Sequence, residues 1–542
     1  MMAEKIETHA ALTWRFPRVF WFANAAELFE RAAFYGMFIA LTLYLTRRVG
    51  FSDVHAGYLS AGFSSVLYLL PTFLGAMADK IGFRRALILA FALLAAGYGL
   101  LGAFQLKWTA VVALGLVMVG GAIVKPVISG TVAYCSDENH RARAFSIFYM
   151  VVNIGSFTGK TAAKPLRTGM ELPYFGRVEL GLEYINFYAA AMALAALLVV
   201  VFVYRDVETA GVGKSPREAW RGLLKVVRNL RFMALIFIIA GFWIIQGQLY
   251  ATMPKYLTRL IGESASPEWL ANINPFVVVL CVVPITHVIR HFKPENAIAL
   301  AMLIIPLSAL SISLSPVLRA VAGDSVEILG VAFHPITVMV IIGVGFQGLA
   351  ECFLSPKWLE FASRQAPRGE QGLYLGYQNL TTFVAWFLGF GISGHLLERY
   401  CPDPETLPAA SYAQWRKAVD YGHRFEVEGA SAGEMAVGGL VPEVVREAFA
   451  RHGMPLGEGA TIESVDGGLG WRIEAEHGTY VLADRGGALA VEKVRRALPA
   501  EYAEAHVIWT IFAGIGACAF LAMLVFKLVT NALDRARMVP EP

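Results

Sequence analysis

Charged residues are scarce in this chain. They make up only 16% of its 542 residues, whereas 56% are hydrophobic. Soluble globular proteins carry charge on about a quarter of their residues. The deficit extends over most of the chain, which excludes an ordinary soluble protein and predicts an integral membrane protein. The formal net charge of +4 reflects basic loops rather than a surface for nucleic acids.

Cysteine pairs and catalytic motifs are missing as well. The five cysteines are scattered without C-x-x-C spacing, which argues against a metal site and a disulfide framework. The sequence has no nucleotide-binding loop and no nucleophile and base at a recognisable spacing, so we expect no enzyme activity. We also expect no cleavable signal peptide, because the basic start leads straight into a full-length apolar span.

Apolar stretches of membrane-spanning length recur along the chain. A spanning helix needs about 20 residues, and the sequence predicts about twelve such spans. In chain order they cover residues 17–46, 54–78, 84–105, 108–132, 142–163, 183–204, 231–260, 269–289, 295–315, 334–361, 370–397 and 503–530. We number them span one to span twelve.

Basic residues cluster on one side of the predicted membrane protein. They fill the connection from Arg205 to Arg231 and the loops after spans two, four, eight and ten. Positively charged loops remain in the cytoplasm, so we expect both termini there, in a bacterial inner (plasma) membrane. Two six-helix halves joined by such a linker fit the parallel-repeat plan of major facilitator transporters. We therefore predict an all-α membrane protein with about twelve transmembrane helices.

This plan divides the chain into six parts. We predict an N-terminal six-helix bundle, a cytoplasmic linker, a C-terminal bundle with spans seven to eleven, an extracytoplasmic insert, the last transmembrane helix and a cytoplasmic tail. In this order they cover residues 1–204, 205–230, 231–398, 399–502, 503–530 and 531–542.

The predicted insert differs from the rest of the chain. Acidic residues outnumber basic ones in 401–502. Helical spacing is followed by four short strand-like segments between glycine turns, which predicts a small α+β fold. The predicted helix is Val441–His452, and the predicted strands are Thr461–Val465, Trp471–Glu476, Thr479–Ala483 and Ala488–Val494. The insert is interpreted as a passive lid or an interaction module with an extracytoplasmic partner, or else as a binding domain of an unrecognised kind.

Three charged residues lie inside span one, in the motif ELFER. Glu27, Glu30 and Arg31 stand at i, i+3 and i+4, so they share one helix face and can partly neutralise one another. An ionisable group at this depth costs about 2.5–3.5 kcal/mol on insertion scales. The face must therefore point into a protein interior or a wet cavity, which predicts a transporter with a proton-responsive site.

The end of span two carries a second motif. Residues 75–85, GAMADKIGFRR, resemble the major facilitator loop signature GxxADRxGRR. This resemblance implies that Asp79 and Arg84 take part in gating on the cytoplasmic side. An ordinary basic cytoplasmic turn is the alternative interpretation.

Three more motifs extend the resemblance. Span four holds Lys125 within GGAIVKPVIS, span five begins with FSIFYMVVNIGS, and span ten contains ECFLSPKWLEF. Together with ELFER, these motifs resemble the proton-dependent oligopeptide transporter (POT) family. The resemblance covers every span except the twelfth and excludes the insert. It implies a proton-coupled symporter of small peptides, with the proton as coupling ion and no cofactor.

The resemblance also implies roles for single residues. Glu27, Glu30 and Arg31 match the proton-coupling motif, with Arg31 also near the carboxylate of a bound peptide. Lys125 matches a lysine that pairs with the span-ten glutamate, here Glu351, and this glutamate receives the amino terminus of the peptide. Further positions that line the peptide site are Tyr35, Tyr68, Asn153 and Asn274.

A structural role stays open for each of these residues. The charged ones can form a buried network, the tyrosines can pack, and the asparagines can join helices by hydrogen bonds. Span seven also departs from the family pattern, because Gln246 and Gly247 stand where related transporters carry an acidic residue. Phe34 replaces a common tyrosine, and the linker lacks the two helices that many bacterial members insert there. A transporter of another small solute and a membrane-anchored binding module therefore remain alternatives.

Overall fold

The computed structural model describes residues 16–537. The gaps in this description are 138–139, 173–175, 205–215, 324, 366–373, 375, 420–424, 428–438, 440, 452–455, 458, 466–469, 476–477, 485–488 and 495–497. Some side chains within helices and strands, including that of Asp79, also lie outside the description. The part of the chain that is described consists of long helices and one small sheet-containing insert, which confirms the predicted fold class.

The helices of the first half follow the predicted spans. Pro17 precedes the first helix, and the side chain of Ser52 caps the second by accepting a hydrogen bond from the backbone N–H of His55. Gly82, with φ of 88°, separates spans two and three. The six spans are Arg18–Arg47, Asp53–Leu69 with Pro71–Ile81, Phe83–Ala103, Lys107–Tyr134, Arg141–Thr168 and Leu182–Phe202.

The second half follows a linker helix, Pro216–Val227. The predicted span at 231–260 is two helices, because Pro254 cannot donate a backbone hydrogen bond and stands in the first turn of a new helix. Short helices at Pro267–Leu270 and Ser315–Ala322 flank spans eight and nine. The main helices are Leu230–Ala251 with Met253–Leu260, Ile273–Ile289, Pro294–Ser313, Pro335–Gln365, Leu380–Tyr400 and Val507–Arg537.

Eleven helices in the described residues are long and apolar enough to cross a membrane. The chain is therefore a multi-pass membrane protein. The fifth span, Arg141–Thr168, is a helix too, but it is more polar than the others. Its second half carries Lys160, Lys164 and Arg167 at i, i+4 and i+7, which places all three on one face.

Glycines bring spans one and five close together. A Cβ atom at Gly159 would lie 2.2 Å from the carbonyl oxygen of Ala32, and one at Gly155 would lie 2.7 Å from the Cβ atom of Arg31. Small residues permit such close approach of helices in membranes. This packing places span five directly against the charged face of span one.

The two halves meet closely along spans two and eleven. A Cβ atom at Gly57 would lie 2.8 Å from the carbonyl oxygen of Phe390, and one at Gly394 would lie 2.6 Å from that of Asp53. Both contacts are near the end of span eleven from which the insert begins. We call this side of the membrane the insert side and the other the linker side.

The described strands form two hairpins and the sheet of the insert. The hairpins consist of β1 (Met170–Leu172) with β2 (Gly176–Val178) and of β3 (Val326–Ile328) with β4 (Val331–Phe333). The strands of the insert are β5 (Phe425–Val427), β6 (Thr461–Val465), β7 (Gly470–Ala475), β8 (Gly478–Asp484) and β9 (Leu489–Val494). They form an antiparallel five-stranded sheet with the order β5-β9-β8-β7-β6. The helix Glu443–Arg451 packs on it, and Phe449 lies 4.7 Å from Tyr480 between ring centres. The predicted helix and four strands are confirmed within the described residues, and the predicted ends His452, Glu476 and Ala488 lie outside them. The strand β5 and the helix Ala409–Val419 were not predicted. The two hairpins were also not predicted.

Candidate functional site

The ELFER charges form one buried cluster. The side chain of Arg31 contacts the carboxylate of Glu30, and its Nε lies 3.2 Å from an oxygen of Glu27. The three residues are only 5%, 1% and 2% exposed, in the order Arg31, Glu30 and Glu27. The helical spacing correctly predicts that they share a face. Two carboxylates thus compete for one guanidinium in a region from which water is largely excluded.

Lys125 lies beside this cluster. Its ammonium is 4.2 Å from the ring centre of Tyr68, a cation–π contact. It also interacts electrostatically with Glu27 and Glu30. Tyr68 in turn lies 5.0 Å from Trp386 of span eleven, measured between ring centres. The first half thereby presents carboxylates, cations and an aromatic face to the second half.

Glu351 is the charged group that span ten contributes. One of its carboxylate oxygens accepts hydrogen bonds from the amide of Gln246 at 3.0 Å and from that of Asn274 at 3.3 Å. Gln246 occupies the position at which an acidic residue was expected, and it serves here as an orienting donor. Among the ion pairs of the described residues there is none between Lys125 and Glu351, so their predicted pairing is not formed in this structure.

Lys160 of span five was not predicted as a site residue. It is 1% exposed, and its ammonium donates to the carbonyl oxygen of Ala271 at 3.3 Å. The ammonium lies 5.7 Å from the ring centre of Tyr35 and interacts electrostatically with Glu351. In the sequence, Lys160 stands one turn before Lys164 and looks like a residue at the end of a spanning helix. Its contacts in the folded structure place it beside the other site residues.

The other predicted residues are spread more widely. The guanidinium carbon (Cζ) of Arg31 lies 5.9 Å from the ring centre of Tyr35. Asn153 donates to the carbonyl oxygen of Tyr149 in its own helix at 2.8 Å, and Arg84 donates to that of Val201 at 2.7 Å. The side chain of Asp79 lies outside the described residues, so the gating roles of Asp79 and Arg84 stay predictions.

Buried ion pairs join the two halves on the insert side. Asp53 of span two accepts from the ammonium of Lys255 at 2.7 Å and from the guanidinium of Arg259 at 2.8 Å. Arg259 also contacts Asp403, at the root of the insert, at 2.8 Å and the carbonyl oxygen of Cys401 at 2.6 Å. The indole N–H of Trp415 donates to the carbonyl oxygen of Arg259 at 2.7 Å. The insert is thus attached at the contact between the halves.

A second set of contacts lies next to the first. Arg167 bonds Glu268 at 2.5 Å and Glu263 at 2.6 Å, and Arg47 contacts Glu263 as well. The ammonium of Lys164 donates to the carbonyl oxygens of residues 263–265 at 2.6–3.1 Å. Burial alone would raise the pKa of Glu263, but the guanidiniums of Arg47 and Arg167 hold it below its ordinary value. Together the two sets join the two halves on the insert side.

Known proteins share this arrangement of helices. The sequence profile of the Major Facilitator Superfamily matches residues 24–390. Dipeptide and tripeptide permease B of Shigella dysenteriae serotype 1 (strain Sd197) is 26% identical over 427 residues, which is 69% of this chain and 86% of that protein. Dipeptide and tripeptide permease A of Klebsiella pneumoniae (strain 342) is 32% identical over 160 residues, 29% of this chain and 31% of that protein.

Solved structures agree with the sequence matches. The crystal structure of tetrameric PepTSo2 has a TM-score of 0.59 at 15% identity and covers 96% of this chain and 99% of that one. A POT family transporter in complex with 5-aminolevulinic acid has a TM-score of 0.55 at 19% identity, covering 70% and 90%. These matches confirm the resemblance that the motifs indicate. The chain belongs to the Major Facilitator Superfamily, with the fold of its POT transporters.

Proposed function

We propose that this protein is a proton-coupled symporter that imports di- and tripeptides by alternating access. The relatives named as dipeptide and tripeptide permeases support this proposal. The observation that carries it is the distribution of charge in the central site. Arg31 and Lys125 belong to the first half, whereas Glu351 belongs to the second.

This distribution suits a zwitterionic ligand. A small peptide carries a carboxylate at one end and an ammonium at the other. The planar guanidinium of Arg31 can bind a carboxylate through two donors, and Lys125 adds a second cation beside it. Glu351, oriented by two neutral amides, can accept the ammonium. A peptide would therefore bridge the two halves, while Tyr35, Tyr68 and Asn153 line its path.

The span-one cluster supplies a means of proton coupling. Arg31 divides its charge between Glu27 and Glu30. Protonation of either carboxylate weakens its ion pair with Arg31 and leaves the guanidinium available to the peptide carboxylate. Proton binding and peptide binding then favour each other, and this coupling is reciprocal by thermodynamic necessity.

The contacts between the halves support a conformation closed on the insert side. The basic loops predict cytoplasmic termini, so we infer that the insert side is extracytoplasmic and that this conformation is closed to the outside. Rocking of the halves would break the ion pairs of Asp53 and Arg167 and open the site outward. Asp79 and Arg84 would then help to close the cytoplasmic side.

Peptide uptake into proteoliposomes tests the proposal. An inward proton gradient should accelerate uptake of labelled Ala-Ala by the wild type, and Glu30→Gln and Lys125→Ala should abolish the acceleration. Glu183→Gln is a matched control, because Glu183 pairs with Arg48 at the surface of the same half and away from the site. It should behave as the wild type. A rate of peptide uptake that does not depend on the proton gradient would refute the coupling.

A second candidate function is transport of another small solute by the same fold. Gln246 favours it, because this uncharged residue takes the place of the expected acid and contacts Glu351 directly. Competition for labelled peptide uptake by unlabelled peptides, nitrate, amino acids and drugs distinguishes the candidates. Peptides should compete best if the first proposal is right.

The insert offers a third candidate, in which it binds an extracytoplasmic partner and the helices serve as its anchor. Replacement of residues 404–500 by a short flexible linker separates this case from transport. A transporter should retain peptide uptake after the replacement, whereas an anchored binding module would lose its only activity.

A further inference from the structure

Three cations on one face of span five have unequal partners. Arg167 pairs with two carboxylates, and Lys164 donates to three backbone carbonyl oxygens. Lys160 donates one weaker hydrogen bond, to the carbonyl oxygen of Ala271 at 3.3 Å. Among the residues that the structure describes, no carboxylate lies within ion-pair distance of Lys160. A buried ammonium without an anionic partner stands to gain much from a new one.

Lys160 borders the proposed peptide site. Its ammonium lies 5.7 Å from the ring centre of Tyr35, and the guanidinium of Arg31 lies 5.9 Å from the same centre. It also interacts electrostatically with Glu351 on the opposite half. A ligand held between Arg31 and Glu351 is therefore within the electrostatic reach of Lys160, and the burial of Lys160 and Arg31 limits solvent screening of that interaction.

The charges of the site can be counted from these residues. The carboxylates are those of Glu27, Glu30 and Glu351, and the cations are those of Arg31, Lys125 and Lys160. With every group in its ordinary charged form, three charges of each sign make the empty site formally neutral. Binding of one coupling proton to a carboxylate gives the site a net charge of +1. A zwitterionic peptide leaves this excess in place, whereas a peptide with one additional carboxylate cancels it.

We propose that Lys160 makes the site selective for small peptides with a net negative charge, those with an aspartate or glutamate side chain. This inference rests on the proposed function and names the substrate class within it. Lys160 acts as a specificity-determining residue, because it attracts the additional carboxylate. Gln246 contributes by leaving this part of the site without the negative charge that would offset Lys160.

Competition among dipeptides tests the inference. Uptake of labelled Ala-Ala into proteoliposomes is measured with an inward proton gradient, at an external pH near 6.5 where the aspartate side chain is ionised. For the wild type, Ala-Asp should compete at concentrations lower than Ala-Lys by on the order of tenfold. Lys160→Gln should remove most of this difference, and Lys160→Arg should preserve it.

Lys164→Gln is the control for charge on the same helix face. It removes a cation one turn away that donates to the carbonyl oxygens of residues 263–265, so the ratio of Ala-Asp to Ala-Lys competition should stay as in the wild type. Uptake of Ala-Ala without a preference for Ala-Asp in the wild type would overturn this inference alone. The same holds if Lys160→Gln keeps the preference. Failure of the wild type to transport any peptide would instead overturn the proposed function.

Discussion

Substitution of Asp53 by asparagine should open the insert side. Asp53 shares its carboxylate between Lys255 and Arg259, and all three side chains are buried. Removal of one partner from a buried ion pair costs about 3–5 kcal/mol. Because Arg259 keeps Asp403 and the carbonyl oxygen of Cys401, we expect about 3 kcal/mol, a change on the order of 100-fold in the closing equilibrium.

Hydrogen exchange measured by mass spectrometry reports this change. In Asp53→Asn, backbone amides of residues 47–60 and 253–260 should exchange faster. Residues 157–168 and 261–272 should exchange faster as well, because the contacts of Arg167 belong to the same closure. Arg48→Gln removes an exposed pair at the same membrane side and within one half, where about 0–1 kcal/mol is typical, so it should leave exchange unchanged. Faster exchange confined to 47–60 and 253–260 would refute the closure as one unit.

Two further predictions concern stability. The pKa of Glu263 is held below its ordinary value. The ionised carboxylate therefore stabilises the fold at pH values above the unfolded pKa, and this contribution is lost as the pH falls through the folded pKa. The difference in Tm between the wild type and Glu263→Gln should vanish in acid. Gly159→Ala would place a Cβ atom 2.2 Å from the carbonyl oxygen of Ala32 and should cost about 1–3 kcal/mol, measured as a lower Tm. Gly99→Ala, where a Cβ atom meets open space, should be tolerated, and equal effects of the two alanines would contradict the packing of spans one and five.

Local spacing explains which features the sequence could predict. Glu27, Glu30 and Arg31 interact within one helical turn, so helix geometry alone brings them together. The strands β6 to β9 are separated in the sequence by short segments that contain glycine, so their boundaries could be predicted. Apolar length likewise predicts the spans, although the helix Arg141–Thr168 is more polar than the others.

Contacts between distant segments explain the rest. Lys160 meets Ala271 across 111 residues of sequence, and Lys255 meets Asp53 across 202. The periodic pattern of apolar residues in a sequence predicts local structure, and it does not predict contacts between segments so far apart. The strand Phe425–Val427 has only three residues and pairs with β9 through Val491, so it lacks a local signal. The hydrogen bond from Gln246 to Glu351 likewise joins residues 105 positions apart in the sequence.

Movement of protons with peptide tests the central claim most directly. Proteoliposomes that contain a pH-sensitive dye and experience no imposed pH gradient are exposed to external Ala-Ala. Our account predicts that the lumen becomes acidic as the peptide enters and that Glu30→Gln abolishes this acidification. Entry of labelled Ala-Ala into wild-type vesicles without any change in internal pH would contradict it.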